Sequence, residues 1–411
     1  MANNFLKEFP SRTELLDWYN TNGSNIVHEV NGHFHTPYSY SAFRDMRQVF
    51  EMARSEHIKI LGINDFYTMA GYEEFHDLSI DYKTFPLFNI EFMGLLKDEQ
   101  KNDIRVNDPN NPGRIYFSGK GLDYPVSLEG SGLRKLEMIR EESANQTREM
   151  FRLAAEHLVS IDSELTLDYE VSLKQYTRGM MRERHIAKIL RELIFDKYKD
   201  DESRNVIFQK LYRGKEPKAK CGNSAAVEDE IRSRLLKKGG IAYVQEDSKA
   251  FLELDEINRI ILDAGGIPTY PVLLDDKNGD YTDYERNSEN LYNELSARNI
   301  YSLELIPGRN DFEHLKEFVL YFHDRGFILT FGTEHNTPEL IPLKIFARGG
   351  KPLDEELKRI NFEGACIISA HQYLRAKEED GYVDKNGKPR ISQKEEFIEL
   401  GNAVIEYFLQ N

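Results

Sequence analysis

The sequence predicts an α/β protein, built of strands alternating with helices and carrying a helical insertion in its middle. Three observations carry that reading. Short apolar runs recur near both ends of the chain, helix-like segments separate them, and the stretch between is charged and poor in strand candidates. The first run, Ile26-Val27-His28-Glu29-Val30, leads into Asn31-Gly32-His33-Phe34-His35-Thr36-Pro37. Ile58 to Ile63 reads as a second buried strand after the helix-like Ala42 to Ser55, Phe85 to Phe92 as a third and Arg114 to Ser118 as a fourth. Later strands are expected at Gly266 to Leu273, Ser302 to Ile306 and Phe327 to Gly332. Each follows an amphipathic pattern, at Leu252 to Asp263, Ser288 to Arg298 and Phe312 to Arg325. Such alternation implies parallel βα units, closed as a barrel or open and doubly wound.

From about Gln146 to Leu236 the pattern is helical, with an exposed loop expected at Lys215 to Asn223. The expected organisation is a first barrel segment over 1–145, a mainly helical insertion over 146–245, and the second barrel segment with a C-terminal extension over 246–411. The acidic loop Asp275 to Arg286 and a hairpin at Glu378 to Arg390 read as solvated turns.

Composition narrows the class. With 411 residues, 40% hydrophobic and 30% charged, the chain is that of a globular protein. A net charge of −16 argues against nonspecific binding to nucleic acid or anionic lipid, but not against a small anionic substrate held by local basic groups. Two cysteines, no apolar leader and no membrane-length apolar stretch point to a cytoplasmic protein. The oligomeric state is not legible.

In a βα sheet the functional groups sit just past the C-terminal ends of the strands. Those positions hold His33 and His35, then Asn64-Asp65-Phe66, then Glu91, then Tyr270-Pro271, and finally Gly332-Thr333-Glu334-His335-Asn336. His33 and His35 stand two apart, so on a strand both imidazoles aim to one side. With 11 histidines in the chain, chance supplies about 0.3 His-X-His pairs, so placement matters more than the pair. Imidazoles with carboxylates suit zinc, manganese or iron. Asp65 also reads as a helix cap, Glu334-His335 as a helix start, and His371 as a buried, hydrogen-bonded histidine.

The ordered series resembles the polymerase and histidinol phosphatase (PHP) superfamily of metal-dependent phosphoesterases. Its blocks His-X-His-Thr-X-X-Ser-Asp, Thr-Asp-His, a strand-end Glu, Ala-His-Pro and Gly-Ser-Asp-X-His correspond here to His33-Phe34-His35-Thr36-Pro37-Tyr38-Ser39-Tyr40, Asn64-Asp65-Phe66, Glu91, Thr269-Tyr270-Pro271 and Gly332-Thr333-Glu334-His335-Asn336. Three further blocks, Glu183-Arg184-His185-Ile186-Ala187, Ile241-Ala242-Tyr243-Val244 and Ala264-Gly265-Gly266, resemble the branch acting on nucleotide and RNA-end phosphates. The resemblance covers roughly residues 25 to 340.

That resemblance implies a distorted (β/α)7 barrel with the insertion capping its mouth. It implies a divalent metal (zinc, manganese or iron) on His33, His35, Glu91 and Glu334. Asp65 would orient or deprotonate water, and His335 would replace a lost histidine. Arg182, Arg184, His185, Tyr270 and Asn336 would face a small anionic substrate. Tyr40, Phe66, Tyr116 and Tyr270 stand where the family has ligands, so one or two ions are expected rather than three. The implied activity is phosphoric-ester hydrolysis. The alternative is a PHP-fold protein without it, either a binding or regulatory module or a single-metal enzyme acting on a sugar acid.

Overall fold

The computed structural model describes residues 4–24, 26–276 and 279–411. Its seven main strands lie side by side in chain order: β1 (Glu29–Phe34), β2 (Ile58–Phe66), β3 (Phe85–Leu95), β4 (Arg114–Lys120), β5 (Ile267–Val272), β6 (Ser302–Leu305) and β7 (Ile328–Phe331). The ends of this sheet meet. The His35 amide donates to the Glu334 carbonyl at 2.7 Å and the Thr333 amide to that of His33 at 3.0 Å, so the sheet is a nearly closed barrel. Gly332 permits the approach, because a Cβ there would stand 2.4 Å from the His33 Cβ. Of the acidic loop expected at Asp275 to Arg286, Lys277 and Asn278 lie outside the described residues.

One strand departs from the expected all-parallel pattern. β4 runs antiparallel to both β3 and β5, so it begins at the mouth where the other strands end. β1 also differs: it runs Glu29–Phe34, so the His-X-His motif lies in and just beyond the strand rather than after a strand ending at Val30. Its polar residues are tolerated because the barrel supplies partners, as where Asn31 donates to Thr333 Oγ1 at 2.6 Å.

The floor of the barrel is closed by the helix Glu355–Ala376, which the sequence reading does not anticipate. It is apolar on nearly every face, as a helix buried all round must be. It packs with Val30, Ile60, Phe85, Leu87, Ile267 and Ile328 from the strand starts and with the helix Lys394–Gln410. Asn361 on this plug spans the open seam, accepting from the Phe331 amide at 2.8 Å and donating to the Val30 carbonyl at 3.3 Å. His371 on the same helix donates through Nε2 to the Gly265 carbonyl at 2.6 Å, while Nδ1 accepts from the Tyr382 amide at 2.9 Å.

The long helix Gly130–Ile161 belongs to two cores. Leu136 and Ile139 pack with the barrel, whereas Met150, Phe151, Ala154 and Leu158 pack with the helices spanning Tyr169 to Leu236. The helical layer touches the mouth through His185, whose ring meets Tyr40 edge-on at 4.9 Å, and through Arg182, whose guanidinium lies 4.8 Å over the Phe66 ring. No described helix is long and apolar enough to cross a membrane.

Candidate metal centre at the barrel mouth

Strand alternation brings three donor atoms to one point. His33 projects inward from β1, His35 lies just past its end, and Glu91 projects from β3. One ligand atom from each falls within 4.8 Å of the others, and all three residues are buried. The two Nε2 atoms are 3.4 Å apart, and His35 Nε2 is 3.1 Å from Glu91 Oε2.

The surrounding hydrogen bonds assign the tautomers. His33 Nδ1 lies 2.8 Å from Glu304 Oε2 on β6. Glu304 is also bonded to the Lys120 ammonium and the Ser118 hydroxyl, both on β4. Burial works to raise the Glu304 pKa, but Lys120 and His33 outweigh it and hold the carboxylate well below its usual range. An ionised carboxylate only accepts, so His33 Nδ1 carries the proton and Nε2 presents a lone pair. Asn64 Nδ2, 3.0 Å from the same Nδ1, cannot donate to it and has Ser118 Oγ at 3.2 Å and His33 Nε2 at 3.3 Å as its acceptors.

His35 is held in the same sense. Its Nδ1 is 3.2 Å from Ser39 Oγ, and that hydroxyl donates onward to Asp65 Oδ1 at 2.5 Å. Ser39 Oγ must then accept from Nδ1–H, which leaves His35 Nε2 bare as well. Burial lowers the His35 pKa, against the pull of Glu334 and Asp65, and so favours the neutral ring.

Glu91 completes the set. Oε2 has no hydrogen-bond partner, and burial pushes the carboxyl far above its usual pKa, only partly offset by His33. Two imidazole nitrogens and a carboxyl oxygen thus converge in a buried space, with the Asn64 amide nitrogen 3.3 Å from His33 Nε2 beside them. Left alone that arrangement is costly, and a cation relieves it. The donor set of two imidazoles and one carboxylate fits zinc, iron or manganese.

The other expected site residues fall elsewhere. Asp65 is in β2 and caps no helix. It accepts from the Thr36 amide at 2.8 Å and from the hydroxyls of Thr36 and Ser39 at 2.5 Å each, so it clamps the loop after β1. Burial raises its pKa against those bonds. Glu334 is beside the site, but Oε2 pairs with Arg309 at 2.7 Å and Oε1 accepts from Asn336 at 2.6 Å. Burial would raise the Glu334 pKa, yet Arg309 outweighs it and the net shift is downward.

His335 points away. Glu334 and His335 both hold left-handed backbone, with φ of +69° and +57°, and no helix follows. His335 stacks on Phe43, with Nε2 toward the Ile341 carbonyl at 2.9 Å and Nδ1 toward Thr333 Oγ1 at 2.8 Å. Both ring nitrogens are occupied, so the expected stand-in for a lost histidine is outside the cluster.

Around the mouth, Phe66 stacks on His35 with ring centroids 4.8 Å apart, filling the space of a ligand rather than replacing one. Tyr270 donates to Glu285 at 3.0 Å, in the loop after β5, and is buried away from the three donors. His185 Nδ1 accepts from the Arg182 amide at 3.0 Å and so caps its own helix; burial drives its pKa down to about 3. Arg184 pairs with Asp229 at 2.9 Å. Of the basic residues expected at the substrate, Arg182 is the one layered onto Phe66.

The residues that sequence reasoning missed are Glu304, Lys120, Ser118 and Arg309. A signal for the first three exists. Ser118 and Lys120 alternate with Phe117 and Gly119 on β4, and Glu304 sits between Leu303 and Leu305, so polar groups occupy inward positions of apolar strands.

No protein-family model matches the sequence, and no curated protein does. Solved structures do match in shape. A Bifidobacterium adolescentis protein assigned as a metal-dependent phosphoesterase superposes with a TM-score of 0.52 at 16% identity, over 82% of this chain and 96% of its own. An amidohydrolase from Chromobacterium violaceum, solved with bound sulfate, gives a TM-score of 0.47 at 16% identity, over 81% and 96%. The first likeness establishes the fold class, a distorted barrel like that of a metal-dependent phosphoesterase, in agreement with the PHP-type barrel expected from the ordered motifs.

Proposed function

We propose that the chain is a metal-dependent hydrolase of the PHP type, using one divalent ion and acting on a small phosphorylated or otherwise anionic molecule. The observation that carries this reading is the charge balance at the mouth. Glu304 has Lys120, Glu334 has Arg309 and Asp65 has three donors, whereas Glu91 Oε2 has none. One cation on His33, His35 and Glu91 closes that account.

A divalent ion bound there supplies a Lewis acid that polarises an ester oxygen and lowers the pKa of water. The protein supplies everything else. Glu304 and the Ser39–Asp65 pair keep the two Nε2 lone pairs aimed inward. Phe66, stacked on His35, and Tyr116, whose ring centroid is 6.2 Å from that of Phe66, place aromatic rings beside the site. Arg182, stacked on Phe66, and Arg309, half exposed beside Glu334, offer guanidinium donors to an anionic group entering from solvent.

The second reading is a binding module without turnover. It is favoured by the saturation of Asp65, Glu334 and His335, which removes the expected general base. Elemental analysis of the purified protein and a panel of small phosphomonoesters and phosphodiesters separate the two. One equivalent of metal with turnover that disappears in Glu91→Gln supports the hydrolase. Metal without turnover supports the module, and a protein that takes up no zinc or manganese overturns the metal reading.

A further inference from the structure

The barrel interior holds a charge network that neither the motifs nor the likeness of fold accounts for. Lys120 is fully buried, as are Glu304 and Ser118. The Lys120 ammonium reaches the Glu304 carboxylate and the Gly32 carbonyl, the latter at 3.2 Å. Glu304 then has the Ser118 hydroxyl on Oε1 and His33 Nδ1 on Oε2. A buried ion pair is poor evidence of a stability role, because a well-packed apolar pair of similar volume is often as stable or more so. The position of this pair gives it another use. It ends on the back nitrogen of one of the three convergent donors, where a carboxylate fixes the tautomer and the tilt of a ligating ring.

We propose that Glu304 is a positioning residue that holds the His33 ring with Nε2 toward the cation site, and that Lys120 and Ser118 on β4 fix the Glu304 carboxylate in place for that task. The proposal rests on the metal-hydrolase reading for its consequence, but its core statement concerns the metal-free chain. Lys120 is required because it anchors the carboxylate from β4, so that Oε2 stays 2.8 Å from His33 Nδ1 and the ring keeps its tilt. Ser118 satisfies the remaining oxygen. Strand geometry explains the reach: β4 is antiparallel to its neighbours, so Ser118 lies opposite Glu91 while Lys120 lies nearer the floor.

The test uses the full-length chain and two readouts. The first is the nitrogen-15 pattern of the His33 ring in metal-free protein at alkaline pH. Wild type should show a protonated Nδ1 and a bare Nε2, and the double variant Glu304→Leu/Lys120→Met, which removes both charges together, should show the opposite or a mixed tautomer. An unchanged tautomer in the variant overturns the proposal. The second is zinc affinity by competition with a chromophoric chelator. The double variant should fold with near-native circular dichroism yet bind zinc 10- to 100-fold more weakly. Equal affinity in a folded variant overturns the consequence for metal binding. If the double variant does not fold, Glu304→Gln, which keeps shape and loses charge, is read in the same two assays against the same outcomes. A wild type that takes no zinc defeats the metal reading alone, and the tautomer measurement still decides the role of Glu304.

Discussion

The floor and the mouth of this barrel both bury histidine, and the two are treated differently. On the floor, His371 has a carbonyl for one ring nitrogen and an amide for the other. At the mouth, His33 and His35 each have a close partner for Nδ1, while their Nε2 atoms face each other and a carboxyl oxygen that has no donor, with the Asn64 amide 3.3 Å from His33 Nε2. A buried histidine with two partners is finished as structure. Two that share an unfinished side define a place for something else. The difference lies in what surrounds each ring, not in burial, since all three are almost completely hidden.

The largest effect that could break this comparison is metal dependence of stability. A ligand that binds only the folded state at about a thousand times its dissociation constant adds about 4 kcal/mol. Zinc or manganese should therefore raise the melting temperature of the wild type by many degrees, and His33→Ala should abolish the rise. Glu91→Gln should reverse the sign of the comparison. Without metal it should melt about as high as the wild type or above it, by roughly 1 kcal/mol, because a desolvated carboxyl has gone. With metal present it should melt far below. A chelator-insensitive wild type would make the mouth as finished as the floor.

A smaller effect tests the floor. Burial lowers the His371 pKa to about 4, with the Gly265 carbonyl opposing, against about 6.5 in an unfolded chain. The folded state thus binds the proton less readily. The stability from the neutral ring is complete above about pH 6.5 and is lost as pH falls through about 4, to a ceiling of about 3 kcal/mol. Melting temperature followed from pH 7 to pH 4 should fall more steeply in wild type than in His371→Gln. Parallel curves would mean that the ring is not kept neutral by its two partners.

Much of this was legible in the chain, and the gaps have physical causes. The barrel was readable because buried parallel strands appear as apolar runs between amphipathic helices, as at Ile58 to Ile63 and Leu252 to Asp263. His33, His35 and Glu91 were readable because alternation places every second side chain on one face. The plug helix was not, since a helix buried all round has no polar face to set its period. The reversal of β4 was not, because nothing within Arg114–Lys120 marks direction. His335 misled because two consecutive left-handed residues, Glu334 and His335, send its side chain to the far side of the turn, and nothing in a lone sequence marks that conformation at a Glu-His pair. Glu304 was passed over as one charge in a short strand, since its partners lie 184 residues away at Lys120 and further still at His33.

The smallest effect concerns the contact between mouth and helical layer. Arg182 stacks over Phe66 at 4.8 Å, and a half-buried cation–π contact is worth about 0.5–1 kcal/mol. Among the described residues its side chain also has a long contact to Ser143 Oγ at 3.5 Å and lies over the Tyr67 ring. No carboxylate pairs with this guanidinium among the described ion pairs, whereas Arg184 and Arg309 each have one. Arg182→Ala should therefore shift the melting temperature by only a degree or two and leave zinc affinity within about twofold. What it should lose is affinity for an anion at the mouth. Inorganic phosphate added to the zinc-loaded protein should bind at least tenfold more weakly to Arg182→Ala than to wild type, and Arg184→Ala should bind as wild type does. If the two variants behave alike, the helical layer contributes packing to the mouth and no recognition, and the anion must be sought at Arg309.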